Sequence, residues 1–209
     1  MHLVVLSNEA LRKELLAQDK EDDLQITWIN EVNELLSCSD ADMILDLLFE
    51  NRPERVVLLQ RIGKPVVINS VTYALAETDT SFIRINGWPG FLAGALVEAS
   101  GSDEQARTLA TAAFEKLGKE ICWVPDQAGF ITPRVVASII NEAFFALSEA
   151  VSTKAEIDTA MKLGTNYPYG PFEWAAKIGL SNVATLLQKL EKEQPRYAPC
   201  PLLVQEAGL

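Results

Sequence analysis

Gly129-Phe130-Ile131-Thr132-Pro133-Arg134-Val135 opens the stretch that decides the fold. It runs into a long apolar segment carrying Asn141-Glu142-Ala143, then Ile157-Asp158-Thr159-Ala160-Met161 and Gly164. Tyr167-Pro168-Tyr169-Gly170-Pro171-Phe172-Glu173 follows, and Ile178-Gly179-Leu180 closes it. Thr132 suits an N-cap with Pro133 at the first helical position, where a missing N–H costs nothing. Val135, Val136, Ile139, Ile140, Ala143, Phe144, Leu147 and Val151 recur at helical spacing, which predicts a deeply buried helix. Thr153 and Glu156 form a capping box for a second helix, with Gly164 as its stop. The Tyr-Pro-Tyr-Gly-Pro turn must re-aim the chain, and a short helix over 172–177 ends at Gly179.

Upstream, apolar runs alternate with helical patterns. Strands are expected at 3–6, 24–29, 42–48, 65–69, 82–85, 95–99 and 121–124. Helices are expected at 9–17, 31–36, 53–62 and 102–117, the last with Ser102 as N-cap and Gln105 completing its box. This alternation indicates a parallel, doubly wound sheet. The expected division is 1–124 for the sheet domain and 125–209 for the helical one.

Composition narrows the function. A net charge of -11 over 209 residues argues against a nucleic-acid surface. No run approaches the roughly 20 apolar residues of a membrane span, and Met1 to Leu6 lacks the pattern of a signal peptide. Cys38, Cys122 and Cys200 are widely spaced, so reduced thiols in a cytoplasmic protein are expected, with no metal site. His2 is the only histidine. That removes Ser-His-Asp and Cys-His chemistry and ordinary zinc binding.

The order of motifs from Gly129 to Leu180 resembles the C-terminal domain of the 3-hydroxyacyl-CoA dehydrogenase family, whose pattern is roughly G-F-[IV]-x-N-R, N-E-A, I-D-x-A-M-x-x-G, P-x-G-P-F and I-G-L. The resemblance implies a reduced Rossmann-like sheet followed by an all-helical dimerisation domain, hence a homodimer built mainly by residues 130 to 205. It also implies NAD as cofactor and an acyl-type ligand. A dinucleotide-binding sheet carries G-x-G-x-x-G after its first strand; here the segment is Ser7-Asn8-Glu9-Ala10-Leu11-Arg12. Ser7 and Asn8 are the remaining candidates for a nucleotide loop, with Glu31 as the ribose carboxylate. The helical hairpin that in the family helps hold CoA has no room between the second and third strands.

In the family the catalytic signature is a strand ending in H-F-F-N-P, with a Glu twelve residues after the His. The His takes the hydroxyl proton and the Glu orients it. Aligned on Leu96-Val97-Glu98, Glu98 takes the Glu position and Asn86 the His position. The Asn of G-F-x-x-N-R is Pro133. In the segment matching S-N-T-S, Asn69 matches, and Ser70 and Thr72 supply hydroxyls. An asparagine amide cannot act as a general base. The leading reading is therefore a diverged family member without ordinary hydride transfer, acting as a dimeric binding or scaffold protein. The alternative is an active NAD-dependent 3-hydroxyacyl-CoA dehydrogenase of fatty-acid metabolism with a remodelled site. A third reading is a hydrolase or isomerase using Glu98 and Thr72.

Overall fold

The computed structural model describes residues 1–38 and 40–209. The chain divides into two compact units, Met1–Phe130 and Ile131–Leu209.

The first unit is an α/β layer structure. Its strands are β1 (His2–Leu6), β2 (Gln25–Ile29), β3 (Met43–Asp46), β4 (Val66–Asn69), β5 (Ile83–Ile85), β6 (Leu96–Ser100) and β7 (Glu120–Trp123). They form one sheet in the order β2-β1-β3-β4-β5-β6-β7. Strands β1 to β5 run parallel, whereas β6 pairs antiparallel with β5 and β7 runs parallel with β6. The sheet is thus mixed rather than wholly parallel as the alternation predicts.

Because side chains alternate across a strand, continuous apolar runs bury both faces. On one face Leu3, Val5, Met43, Leu45 and Val67 meet the helices α1 (Glu9–Leu15) and α3 (Glu104–Glu115). On the other, Val4, Leu6, Ile44, Val66 and Ile68 meet α2 (Pro53–Arg61) and the 3-10 turn Val32–Ser37. The first residue of α3 is later than the sequence suggests. Asp103, not Ser102, caps it, its carboxylate accepting from Ala106 N at 2.7 Å.

The division falls after Phe130, six residues beyond the expected boundary, because Arg84 gathers the intervening segment onto the sheet. Arg84 is fully buried on β5. Its Nε donates to Asp126 at 2.5 Å, Nη1 donates to Ser70 O at 2.9 Å, and Nη2 donates to Gln127 O. Its guanidinium lies 4.0 Å from the Phe130 ring centroid. Gly129 N donates to Val71 O at 2.8 Å.

The second unit is helical: α4 (Thr132–Ser148), α5 (Lys154–Thr165), α6 (Pro171–Ile178), α7 (Leu180–Glu191) and α8 (Pro201–Ala207). Thr132 is already inside α4, and Ile131 occupies the cap position without a side-chain bond. Val136, Ala137, Ile140, Ala143 and Phe144 face its core, while Val135 and Val151 are exposed. Thr153 and Glu156 do form the capping box of α5. That helix passes Gly164 and ends at Asn166, whose φ of 57° is left-handed.

The motif residues of this unit act as clamps. Asn141 on α4 accepts from Cys200 N at 2.7 Å and donates to Ala198 O at 2.9 Å, fixing the start of α8. Asp158 on α5 accepts from Phe172 N at 2.8 Å in the first turn of α6. Gly170 sits against it so closely that a Cβ there would lie 2.4 Å from Asp158 Cβ. Its φ of -74° is open to any residue, so glycine is required here by space alone.

Candidate functional site

Parallel strands bring their carboxyl ends to one edge of a sheet, and the loops there carry ligands. At that edge Asn86 directly follows β5, and β6 passes antiparallel beside it with Glu98. Asn86 Nδ2 donates to Glu98 Oε2 at 3.2 Å, and both side chains are buried. The backbone reinforces the pair, Asn86 N donating to Glu98 O at 2.9 Å. Asn69, at the end of β4, joins them through the next residue: its Nδ2 donates to Gly87 O at 3.1 Å and its Oδ1 accepts from Gly87 N at 3.0 Å. A third bond, from Nδ2 to Leu47 O at 3.2 Å, ties Asn69 to the loop after β3. Its amide is therefore committed to holding loops.

Ser70 turns its hydroxyl away into its own turn, donating to Tyr73 O at 2.9 Å. Thr72 is half-buried in the same turn. Of the five candidates, the structure brings Asn86, Glu98 and Asn69 together.

The segment after Asn86 is held by three side chains that the sequence does not single out. Glu14 accepts from Gly90 N with both oxygens at 2.9 Å, and Gln18 donates to Ala93 O at 2.9 Å. Lys119 is buried, donating to Leu92 O at 2.7 Å and Gly94 O at 2.9 Å. Burial pulls its ammonium down to about 8, against a smaller opposing effect of Glu14.

NAD is the cofactor the resemblance implies, and the residues after β1 do not fit it. Ser7 is buried with its hydroxyl donating to Asn8 O at 3.1 Å. Asn8 caps α1, accepting from Leu11 N at 2.9 Å, so a side chain already answers an amide that a pyrophosphate would use. Glu9 adds a carboxylate to that first turn. At the third glycine position, where close helix–strand approach is needed, Arg12 fills the space. Its Nη2 donates to Asn30 Oδ1 at 2.5 Å, Ile29 O at 3.4 Å and Ser7 O at 3.5 Å, and its guanidinium lies 5.1 Å from the Trp28 ring centroid. Glu31 stands at the start of the 3-10 turn, its N–H donating to Glu34 Oε1 at 2.9 Å.

Beyond β3 a buried ion pair closes the same edge. Arg55 on α2 donates to Asp46 through Nε at 2.8 Å and Nη2 at 2.9 Å. Burial pushes the Asp46 carboxyl up, opposed by Arg55. Among the described residues no group of three or more His, Cys, Asp or Glu could hold a metal ion, and no helix is long and apolar enough to cross a membrane.

Comparison with known proteins places this architecture. Residues 129–207 match the model of the 3-hydroxyacyl-CoA dehydrogenase C-terminal domain. The chain is 40% identical over 116 residues to a 3-hydroxyadipyl-CoA dehydrogenase of Escherichia coli strain K12, covering 54% of this chain and 24% of that protein. It is 31% identical over 226 aligned residues to a 3-hydroxybutyryl-CoA dehydrogenase of Bradyrhizobium diazoefficiens, covering 98% of this chain and 72% of that one. The fold is shared with the crystal structure of (S)-3-hydroxybutyryl-CoA dehydrogenase from Ralstonia eutropha, with a TM-score of 0.75 at 20% identity over 99% of this chain and 93% of that one. With its helical motifs matched in order and its length aligned almost throughout, the chain belongs to the 3-hydroxyacyl-CoA dehydrogenase family.

Proposed function

We propose that this chain is a family member without ordinary NAD-dependent hydride transfer, and that it acts as a dimeric binding or scaffold protein. The observation that carries this reading is the bond from Asn86 Nδ2 to Glu98 Oε2. It keeps the geometry of a base and its orienting carboxylate but puts an amide where the proton acceptor must be. Removing a general base costs about two to four orders of magnitude in rate, and the turn after β1, capped by Asn8 and carrying Glu9, offers a pyrophosphate no free first-turn amide at Leu11 and a repelling carboxylate. Self-association rests on the apolar surface of the helical unit, where Leu163 is 83% exposed and Val151 69%. Such side chains on a helical domain favour a symmetric partner.

Two measurements test the reading. NADH fluorescence titration should show no micromolar binding. An assay of 3-hydroxybutyryl-CoA oxidation at saturating NAD should show no turnover above background in the wild type or in Asn86→His. Robust wild-type turnover would overturn the proposal. Light scattering on the full chain should give a dimer, and a clean monomer at micromolar concentration would remove that part.

The second reading, an active dehydrogenase, is favoured by the identity with the Bradyrhizobium diazoefficiens protein, which is named for that activity. It requires Glu98 to be the base, so Glu98→Gln would abolish turnover.

A further inference from the structure

The end of β5 opposite to Asn86 carries a second cavity. Strand β6 runs antiparallel to β5, so its carboxyl end, at Ser100, lies beside Arg84. Gly101 follows and packs on Ile83, the first residue of β5. A cavity of about 480 Å³ opens there, within the range of small-molecule sites. Its apolar lining comes from Leu75 and Ala76, on the 3-10 turn Leu75–Glu77, and from Val124 and Pro125 after β7.

Arg107 and Trp123 give this cavity its chemistry, and both line it. Trp123 ends β7 and is half-buried, and the Arg107 guanidinium on α3 lies 4.4 Å from its ring centroid. Arg107 makes no ion pair and no side-chain hydrogen bond to the protein among the described residues, so its N–H groups are unspent. Each carboxylate around it is accounted for. Asp126 also lines the cavity, but its Oδ1 accepts from Arg84 Nε and its Oδ2 from Leu75 N at 2.9 Å. Asp103, one turn before Arg107, is spent on capping α3. Glu104 and Glu115 line a neighbouring groove that Arg107 and Trp123 border as well, and neither is bonded to Arg107 among the described residues.

These charges choose among ligands. One unpartnered cation on the wall answers one negative charge, and the carboxylates nearby repel a second. The planar fork of an arginine fits a carboxylate through two parallel bonds. The rest of the lining favours an apolar group. We propose that this cavity binds a monocarboxylate with a short apolar tail, its carboxylate on Arg107 and its tail against Leu75 and Pro125. The site shares no residue with the Asn86–Glu98 pair, and it stands whether or not hydride transfer is retained.

The test is titration of the full chain with 4-methylpentanoate, 4-methylpentanamide and 3-methylbutyl phosphate, which share a tail and differ in charge. Binding is followed through the indole N–H signals in heteronuclear NMR spectra, with Trp123→Phe identifying the Trp123 signal. Near neutral pH the carboxylate should shift that signal with a Kd of about 1 mM or tighter, and the amide and the phosphate should bind at least about tenfold more weakly. Arg107→Gln should weaken the carboxylate by about tenfold or more. Arg107→Lys, which keeps the charge without the fork, should weaken it less, with circular dichroism confirming the fold of both. A carboxylate that leaves the Trp123 signal unmoved overturns the inference, as does an amide or phosphate that binds as tightly, or unchanged binding in Arg107→Gln. If Arg107→Gln does not fold, the wild-type series decides alone.

Discussion

Replacing Gly170 by alanine should destabilise the helical unit by roughly 3–5 kcal/mol. The added Cβ would sit 2.4 Å from Asp158 Cβ and Cγ and 2.3 Å from Asp158 Oδ1, against an ordinary contact of 3.4 Å or more. Rotating the Asp158 side chain cannot relieve the contact with its own Cβ, which α5 fixes. The backbones of α5 and the turn before α6 must therefore part by about 1 Å. Overpacking of that kind costs about 1–3 kcal/mol. The same movement stretches the bond from Phe172 N to the largely buried Asp158 carboxylate, worth about 1.5–3 kcal/mol when charged. Urea unfolding followed by circular dichroism would show the transition of the helical unit moving down by about 1–5 M. Gly164→Ala is the control. A Cβ there meets nothing within 4 Å, and the change should be neutral or stabilising by up to about 1 kcal/mol. In the double variant with Asp158→Gly the clash is gone, so the two losses should fall short of their sum by about 2–3 kcal/mol. Additive losses, or a cost below about 1 kcal/mol for Gly170→Ala, would refute the steric account.

Lys119→Met should change how stability depends on alkali. In the folded chain the ammonium titrates near 8, and unfolded it titrates near its ordinary value of 10.5. Between these the unfolded state holds more protons, so this residue makes stability rise with pH, by at most about 1.4 kcal/mol per unit. The difference between wild type and Lys119→Met, measured by urea unfolding from pH 7 to 10, should carry that slope, and parallel curves would count against it. Asp46→Asn should cost about 3–5 kcal/mol by leaving the buried Arg55 unpaired. Asp46→Asn combined with Arg55→Met should recover much of that loss in the same assay, and no recovery would assign Asp46 another role.

The layout of elements was legible because apolar runs bounded by polar turns are a local signal. Leu3 to Leu6, Met43 to Leu45 and Val66 to Ile68 are strands for the reason their composition suggests. Cap positions were less legible. Ser102 and Asp103 can both cap a helix, and only the path of the chain selects Asp103. The Asn86–Glu98 contact could be anticipated through the family resemblance, since a spacing of twelve residues across two antiparallel strands has no periodic signature. Arg12, Arg84 and Lys119 were not visible. Their partners lie far away in sequence, Arg84 to Asp126 by 42 residues and Lys119 to Leu92 by 27, and most are backbone carbonyls that any residue would supply. Asp46 differs from these: a carboxylate ending an apolar strand demands a cation when buried, and that cation is Arg55.

The attachment of residues 126–130 to Arg84 has a mechanical consequence. By chain connectivity alone, tension drawn through Ile131 would fall on β7, the outermost strand, whose pairing can be unzipped one bond at a time. Arg84 instead diverts that tension to β5, which is flanked by strands on both sides. The linker's attachment must therefore rupture before the edge of the sheet feels the load. Under a pulling force the first event is the release of a short slack segment, and peeling of the sheet comes second.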